Sequence, residues 1–286
     1  MQVQNNIASI NAARNQGIET GKLKKSLEKL SSGFRIVRAG DDAAGLAISE
    51  GMRSRINSLN QAMKNIDDGI GLTNVGDGAL TEVHSMLQRL KTLALKSANG
   101  TYDQSNRETL NMEKDQILEE IDRIGSTTKF GGISLFSRAD ANAITPGWQP
   151  PELDDTIPLQ IGGSAQAEEV LDVERYYIGS RELQLDKTDF SDVETGQKSV
   201  GYIEDAIEAV SKVRASFGAA YMHLEHTHNN LSVTSENMQA AESQIRDTNM
   251  AEEITKYTSS NIVLQSSNRM LTNANNLPQT ILELLK

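Results

Sequence analysis

From Asp42 to Ala98 the chain carries no proline, and its apolar residues fall at Ile48, Met52, Ile56, Leu59, Met63, Ile66 and Ile70, then at Leu80, Val83, Leu87, Leu90 and Ala94. Steps of three and four residues predict a helix rather than a strand, whose apolar positions would alternate. Unbroken, that helix spans about 85 Å at about 1.5 Å per residue. Its middle contains Gly69, Gly71, Gly76 and Gly78. Each costs roughly 1 kcal/mol against Ala, so a weak or bent stretch is expected over 67–80. A second amphipathic stretch runs from Arg107 to Ile124, with Leu110, Ile117, Leu118, Ile121 and Ile124 on one face. Gly125, Gly131 and Gly132 then predict a turn leading into extended chain.

The pattern changes in the middle. Pro146, Pro150, Pro151 and Pro158 lie close together, followed by IPLQIG at 157–162 and VLDVERYYIG at 170–179, which predicts short strands and hairpins in a loop-rich segment. Helical spacing resumes near Val200 through Ile203, Ile207, Val210, Val213, Phe217, Tyr221, Leu224 and Leu231, and Met238, Ala241, Ile245, Ile254 and Ile262 carry it onward. The outermost stretches, 1–33 and 250–286, are rich in Asn, Gln and Ser and weaker in period. They keep a stripe at Val3, Ile7, Ile10, Leu23, Leu27 and Leu30, and another at Ile281, Leu282 and Leu285. Such ends are expected to fray in an isolated monomer and to order when neighbours bury them.

The expected fold is therefore mainly α: a long antiparallel helical bundle or coiled coil formed by both termini, with a small β-hairpin-rich central module. The expected divisions are 1–40 and 250–286 for an inner coiled-coil domain. Residues 41–136 and 201–249 would form the helices of an outer domain, and 137–200 its central β and loop segment.

Composition supports a helical chain without a thick core, since aromatic residues make up 4% of it and hydrophobic residues 37%. The net charge of −11 argues against nucleic acid, whose phosphates need a clustered basic face. Charge is uneven: residues 1–40 carry a balance of +5 and residues 137–200 one of −8. A solvated helix face is the plainer account of the basic segment, and a membrane surface the alternative. No apolar run approaches the roughly 18–20 residues of a membrane span, so no membrane insertion is expected. The start lacks the basic and apolar segments of a cleavable secretory signal. With no cysteine, disulfides and thiolate metal sites are excluded, and stability must come from packing.

Candidate chemistry is sparse. No phosphate-binding glycine loop follows a strand. His223 and His226 in HLEHTH stand one turn apart, but the motif is not HExxH and lacks an evident third ligand, so solvated helix histidines are expected. No serine sits in a G-x-S-x-G elbow. Adjacent acids on a helix point about 100° apart, so Asp41 and Asp42 are read as caps of the long helix rather than an acid/base pair.

Four segments carry a specific resemblance: SSGFRIVRAGDDAAGLAISEGMRSRI at 31–56, DDGIGLTNVGDGALTEVHSMLQRLKTLALKSANG at 67–100, ILEEIDRIGSTTKFGGISLF at 117–136 and AESQIRDTNMAEEI at 241–254. Non-periodic positions such as Ser31–Gly33, Asp41–Gly45 and Arg246–Thr248 set them apart from generic helical repeats. The chain resembles bacterial flagellins over residues 1 to about 136 and about 200 to 286. The resemblance implies a non-enzymatic, secreted subunit, without cofactor or metal, that polymerises into a helical filament for swimming. Its implied partners are further copies of itself, a flagellar type III export apparatus, an export chaperone, a filament cap and hook–filament junction proteins. Val3, Ile7, Ile10, Leu27, Leu30 and Arg35 are the implied polymerisation residues. Host Toll-like receptor 5 is a further implied partner, through Arg89, Leu93 and Glu113. Thr92 and Lys96 stand where strongly stimulatory members are expected to carry an acid and a Gln. Ile281, Leu282, Leu284 and Leu285 match the tail read by cytosolic inflammasome sensors. A junction protein of the same export system is the rival reading, and the density of filament-type motifs at both ends argues against it.

Overall fold

In a computed structural model of the chain, residues 6–136, 156–164 and 166–284 are described, without the side chains of Ala167 and of 277–284. Five helices and two antiparallel hairpins follow one another: α1 (Ile7–Ser32), α2 (Ala43–Ser97), α3 (Gln104–Thr127), β1 (Lys129–Phe130), β2 (Ile133–Ser134), β3 (Thr156–Gln160), β4 (Val170–Glu174), α4 (Val193–Arg246) and α5 (Met250–Leu284). The mainly helical fold read from the sequence is the one formed. Helix starts are fixed by side-chain caps, which satisfy amide donors that have no partner within the helix. Asn6 Oδ1 accepts from Ser9 N at 3.1 Å, Asp42 Oδ1 from Gly45 N at 2.9 Å and Asp192 Oδ1 from Val193 N at 2.7 Å. Asp42 thus caps α2 as expected. Asp41 does not: it closes the preceding turn by accepting from Arg38 N at 3.2 Å and from Lys25 Nζ at 3.2 Å.

Two compact units are formed, one from Met1–Asn57 with Ser235–Lys286 and the other from Ser58–Thr234. The second holds the core. Leu80, Val83, Leu87, Leu90 and Leu93 of α2 pack with Ile121 of α3, Leu135 and Phe136 after β2, Phe190, and Ile203, Val210 and Phe217 of α4. The β1–β2 hairpin turns on Gly131 (φ 58°) and Gly132 (φ 89°), the paired positive φ that a two-residue turn demands and that glycine alone adopts freely. β3 and β4 pair from Thr156↔Glu174 to Gln160↔Val170.

The glycine-rich stretch of α2 stays helical, and the helix runs through 67–80 without a break. The glycines there admit close neighbours: a Cβ on Gly76 would stand 2.9 Å from the Phe217 ring, and one on Gly69 2.8 Å from Leu159. Packing against α4 and β3 offsets what the glycines cost in helix propensity. α4 also begins earlier than the apolar spacing suggested, at Val193, where Asp192 supplies the cap.

In the first unit α1 lies along α5. They run antiparallel, since Asn6 Nδ2 donates to Ala274 O at 2.6 Å at one end while Thr248 N donates to Gly33 O at 2.9 Å at the other. No described helix is long and apolar enough to cross a membrane.

Candidate interaction surfaces

The seam between α1 and α5 is made of the less exposed positions on each helix. On α1 these include Ser9, Ala12, Gln16, Glu19, Leu23, Ser26 and Leu30, and on α5 Glu253, Tyr257, Ser260, Leu264, Ser267, Leu271 and Ala274. Alternating steps of three and four make this a heptad seam, yet most of its side chains are small or polar. Ser9 Oγ, for example, donates to Asn275 Oδ1 at 2.6 Å. Among the described residues of this unit, Ile36 and Ala274 are the only buried hydrophobic side chains.

The larger apolar side chains face outward instead. Ile7 is 63% exposed, Ile10 54% and Leu27 52%. Ile254, Ile262, Val263 and Met270 are exposed large apolar side chains of α5, and the eight-residue steps from Ile254 to Ile262 to Met270 spread them around the side of the helix away from the seam. Of the polymerisation residues read from the sequence, Ile7, Ile10 and Leu27 are therefore open, whereas Leu30 is half-buried against α5. Val3 lies outside the described residues. Ile254 and Ile262 extend the helical spacing, but they do not extend the core stripe of α4. Ile48, placed by spacing on the buried face of α2, is 53% exposed. Period alone finds an apolar face and does not say whether the chain itself covers it.

Arg35 belongs to a clasp where α1 ends and α4 gives way to α5. Its backbone N donates to Arg246 O at 2.6 Å, and its guanidinium donates to Ile245 O. Phe34 pairs with Asp247 in an isolated antiparallel bridge. The Arg246 guanidinium lies 4.7 Å from the centre of the Phe34 ring and donates to Glu50 Oε1 at 2.6 Å. That hydrogen bond holds the Glu50 carboxyl below its ordinary range, with the charge of Arg246 adding to it. Within the chain, Arg35 thus holds two backbone carbonyls, contacts that spacing could not foresee.

In the second unit, Arg89 on α2 and Glu113 on α3 meet at the surface, Nε and Nη2 both donating to Glu113 Oε1 at 2.8 and 2.6 Å. Leu93 does not join them. It is fully buried in the core, because it continues the apolar line of Val83, Leu87 and Leu90 rather than the polar side that carries Arg89. In this chain Leu93 packs beneath the surface that carries Arg89 and Glu113. Leu95 and Met112, 55% and 60% exposed, are the large apolar side chains left open on α2 and α3 nearby. Ile281, Leu282 and Leu284 fall within α5 with side chains outside the described set, and Leu285 lies outside the described residues.

Nothing among the described residues assembles reactive chemistry. No group of three or more metal-ligating side chains converges. His223 and His226 are exposed, and His228 stands 3.6 Å from Asp67. Burial, together with the hydrogen bond to Glu174, pushes the Tyr176 hydroxyl up, and Ser216 Oγ is 3.0 Å away. The Asp189 carboxyl is lowered chiefly by Ser191 Oγ, which donates to it at 2.6 Å beside the start of α4. Both groups tie loops to helices. One cleft among the described residues, about 570 Å³, is an open groove along α2 and α3 past Val75, Met86, Ile124 and Lys129, without a converging set of polar groups such as a small-molecule site needs.

Comparison with known proteins agrees with this helical, surface-dominated chain. Residues 3–141 match the bacterial flagellin N-terminal helical region and residues 200–285 the bacterial flagellin C-terminal helical region. A flagellin of Halalkalibacterium halodurans is 42% identical over 286 residues, and a flagellin of Bacillus subtilis 38% identical over 309, each alignment covering 100% of both chains. A solved structure described as a flagellar hook-associated protein from Vibrio parahaemolyticus shares the fold, with a TM-score of 0.58 and 14% identity over 72% of this chain and 100% of that one. Matched along its whole length by relatives of this kind, the chain belongs to the bacterial flagellin family.

Proposed function

We propose that the chain is a structural, non-enzymatic subunit that polymerises with copies of itself into an extracellular flagellar filament for swimming. One observation carries the reading: the terminal unit buries two hydrophobic side chains among its described residues and turns Ile7, Ile10, Leu27, Ile254, Ile262 and Met270 to solvent. Apolar surface left uncovered by its own chain is a site for another molecule. A contact between unlike surfaces that does not close on itself generates a filament. The shared fold with a hook-associated structure does not separate filament subunit from junction protein; the full-length flagellin relatives favour the former.

Purified monomer carrying Ile10→Asp or Ile262→Asp, seeded with wild-type filament fragments, is expected to stay monomeric by electron microscopy while keeping its helical circular dichroism. Growth of long filaments by both variants overturns the assignment of this face. Discrete short caps from wild-type monomer would instead indicate a junction protein.

A second reading rests on the exposed Arg89–Glu113 pair. Together with Leu95 and Met112 it offers charge beside open apolar surface, the composition of a protein-binding patch, and fits recognition by host Toll-like receptor 5. Export through a flagellar type III apparatus with a chaperone, growth beneath a filament cap, and reading of the Ile281–Leu285 tail by inflammasome sensors are further proposals carried by family membership.

A further inference from the structure

The turn between α2 and α3 contains Asn99–Gly100, the one Asn-Gly pair in the chain. Both residues are exposed, and a Cβ on Gly100 would meet nothing within 4 Å. Its surroundings are unusual. Arg107 is buried, and its guanidinium faces backbone carbonyls: Nη1 donates to Ser97 O at 2.5 Å, Nη2 to Asn99 O at 3.1 Å and Nε to Tyr102 O at 3.2 Å. Tyr102 N also donates to Asn99 O, at 3.4 Å, while Thr101 N donates to the side-chain carbonyl Asn99 Oδ1 at 3.2 Å.

We propose that Asn99–Gly100 is a self-modification site, at which the folded turn accelerates deamidation of Asn99 through a cyclic imide. In that reaction a solvent base removes the Gly100 amide proton, the Gly100 nitrogen forms a bond to Asn99 Cγ, and the Cγ–Nδ2 bond breaks to release ammonia. Water then opens the ring at either carbonyl, leaving aspartate or isoaspartate at position 99. No oxidant or cofactor is consumed.

Two contacts favour the two hard steps. Deprotonating the Gly100 amide spreads negative charge onto Asn99 O, where the Arg107 guanidinium already donates, and a charged donor is roughly twice as strong as a neutral one. Attack on Cγ drives charge onto Asn99 Oδ1, where Thr101 N–H is placed as an oxyanion donor. The open space beside Gly100 Cα, which carries no side chain, leaves that residue room to turn as its nitrogen closes on Cγ. Isoaspartate would then insert an extra backbone carbon between the carbonyls that Arg107 spans, and so loosen the α2–α3 connection.

The test follows the tryptic peptide Ser97–Arg107 by mass spectrometry during incubation at mildly alkaline pH, native against urea-denatured, with isoaspartyl methyltransferase labelling to count the isomer. The folded chain is expected to deamidate about tenfold faster than the denatured one, short of the ~10²-fold that a preorganised oxyanion donor supplies in an enzyme. Gly100→Ala is expected to suppress the product, and Arg107→Lys to bring the native rate down to the denatured one. An equal or slower rate in the folded chain overturns the proposal. So does undiminished product in Gly100→Ala, or an unchanged rate in Arg107→Lys. The native-against-denatured comparison needs no variant, so it decides the matter even if a substitution unfolds the turn.

Discussion

Arg89 and Leu93 stand one turn apart on α2 and Glu113 on α3, but only Arg89 and Glu113 share a surface. Arg89→Ala is expected to weaken binding to the receptor ectodomain by about 1–2 kcal/mol, the cost of losing a modest interface hot spot, with the midpoint of urea unfolding nearly unchanged. Unchanged affinity in a titration would place the contact elsewhere. Leu93→Ala is a poor probe of the same question, because truncating a buried leucine costs about 2–5 kcal/mol of stability by itself. Gly125 is a sharper case of a residue fixed by packing. A Cβ there would lie 1.9 Å from Ile178 O, so Gly125→Ala is expected to lower stability by about 1–3 kcal/mol through overpacking, read from the urea midpoint. The sequence marked Gly125 as a helix breaker, whereas it lies inside α3. Its requirement comes from a carbonyl far along the chain, which no local pattern contains.

At the level of elements, the helices, their order and both hairpin regions were legible from spacing, caps and the Gly131–Gly132 turn. What spacing could not give was the partner of each face. Leu23 and Leu30 turn toward α5 while Ile7, Ile10 and Leu27 turn away, although all five fit one loose stripe. The clasp joining the α1 end to the α4–α5 connection was equally hidden, being built from Phe34 and Arg35 backbone and two guanidinium groups. It carries a pH dependence with a definite sign. Glu50 is held below its ordinary range by Arg246. Its contribution is therefore present above the ordinary glutamate range and is lost as pH falls through that range and below it. Protection of the amides of residues 33–36 and 246–250, taken relative to the intrinsic exchange rate at each pH, is expected to fall on acidification in the wild type and to change less in Glu50→Gln. An identical acid response in the two proteins would remove Glu50 from the account.

For the whole molecule, the decisive feature is where apolar burial is concentrated. Nearly all of it falls in Ser58–Thr234, while the unit containing both termini has little of its own. Deleting residues 1–30 is accordingly expected to leave a soluble centre with cooperative thermal unfolding that cannot elongate filament seeds; elongation by the truncation would contradict the proposed role of α1. Composition alone foretold a chain poor in core, and the family motifs foretold its use. Neither foretold that the α1–α5 seam would set four leucines and a tyrosine among Ser, Ala, Gln and Glu. That seam is pinned at its ends, by Asn6 and Ser9 on Ala274 and Asn275 and by Gly33 on Thr248. Between those fastenings, Leu23, Leu30, Leu264 and Leu271 alternate with small or polar groups, so the seam packs less hydrocarbon than an all-aliphatic one would. Two rods fastened at their tips and thinly padded between them draw much of their stiffness from whatever surrounds them, so the end unit is expected to be softer in a free molecule than in a packed array.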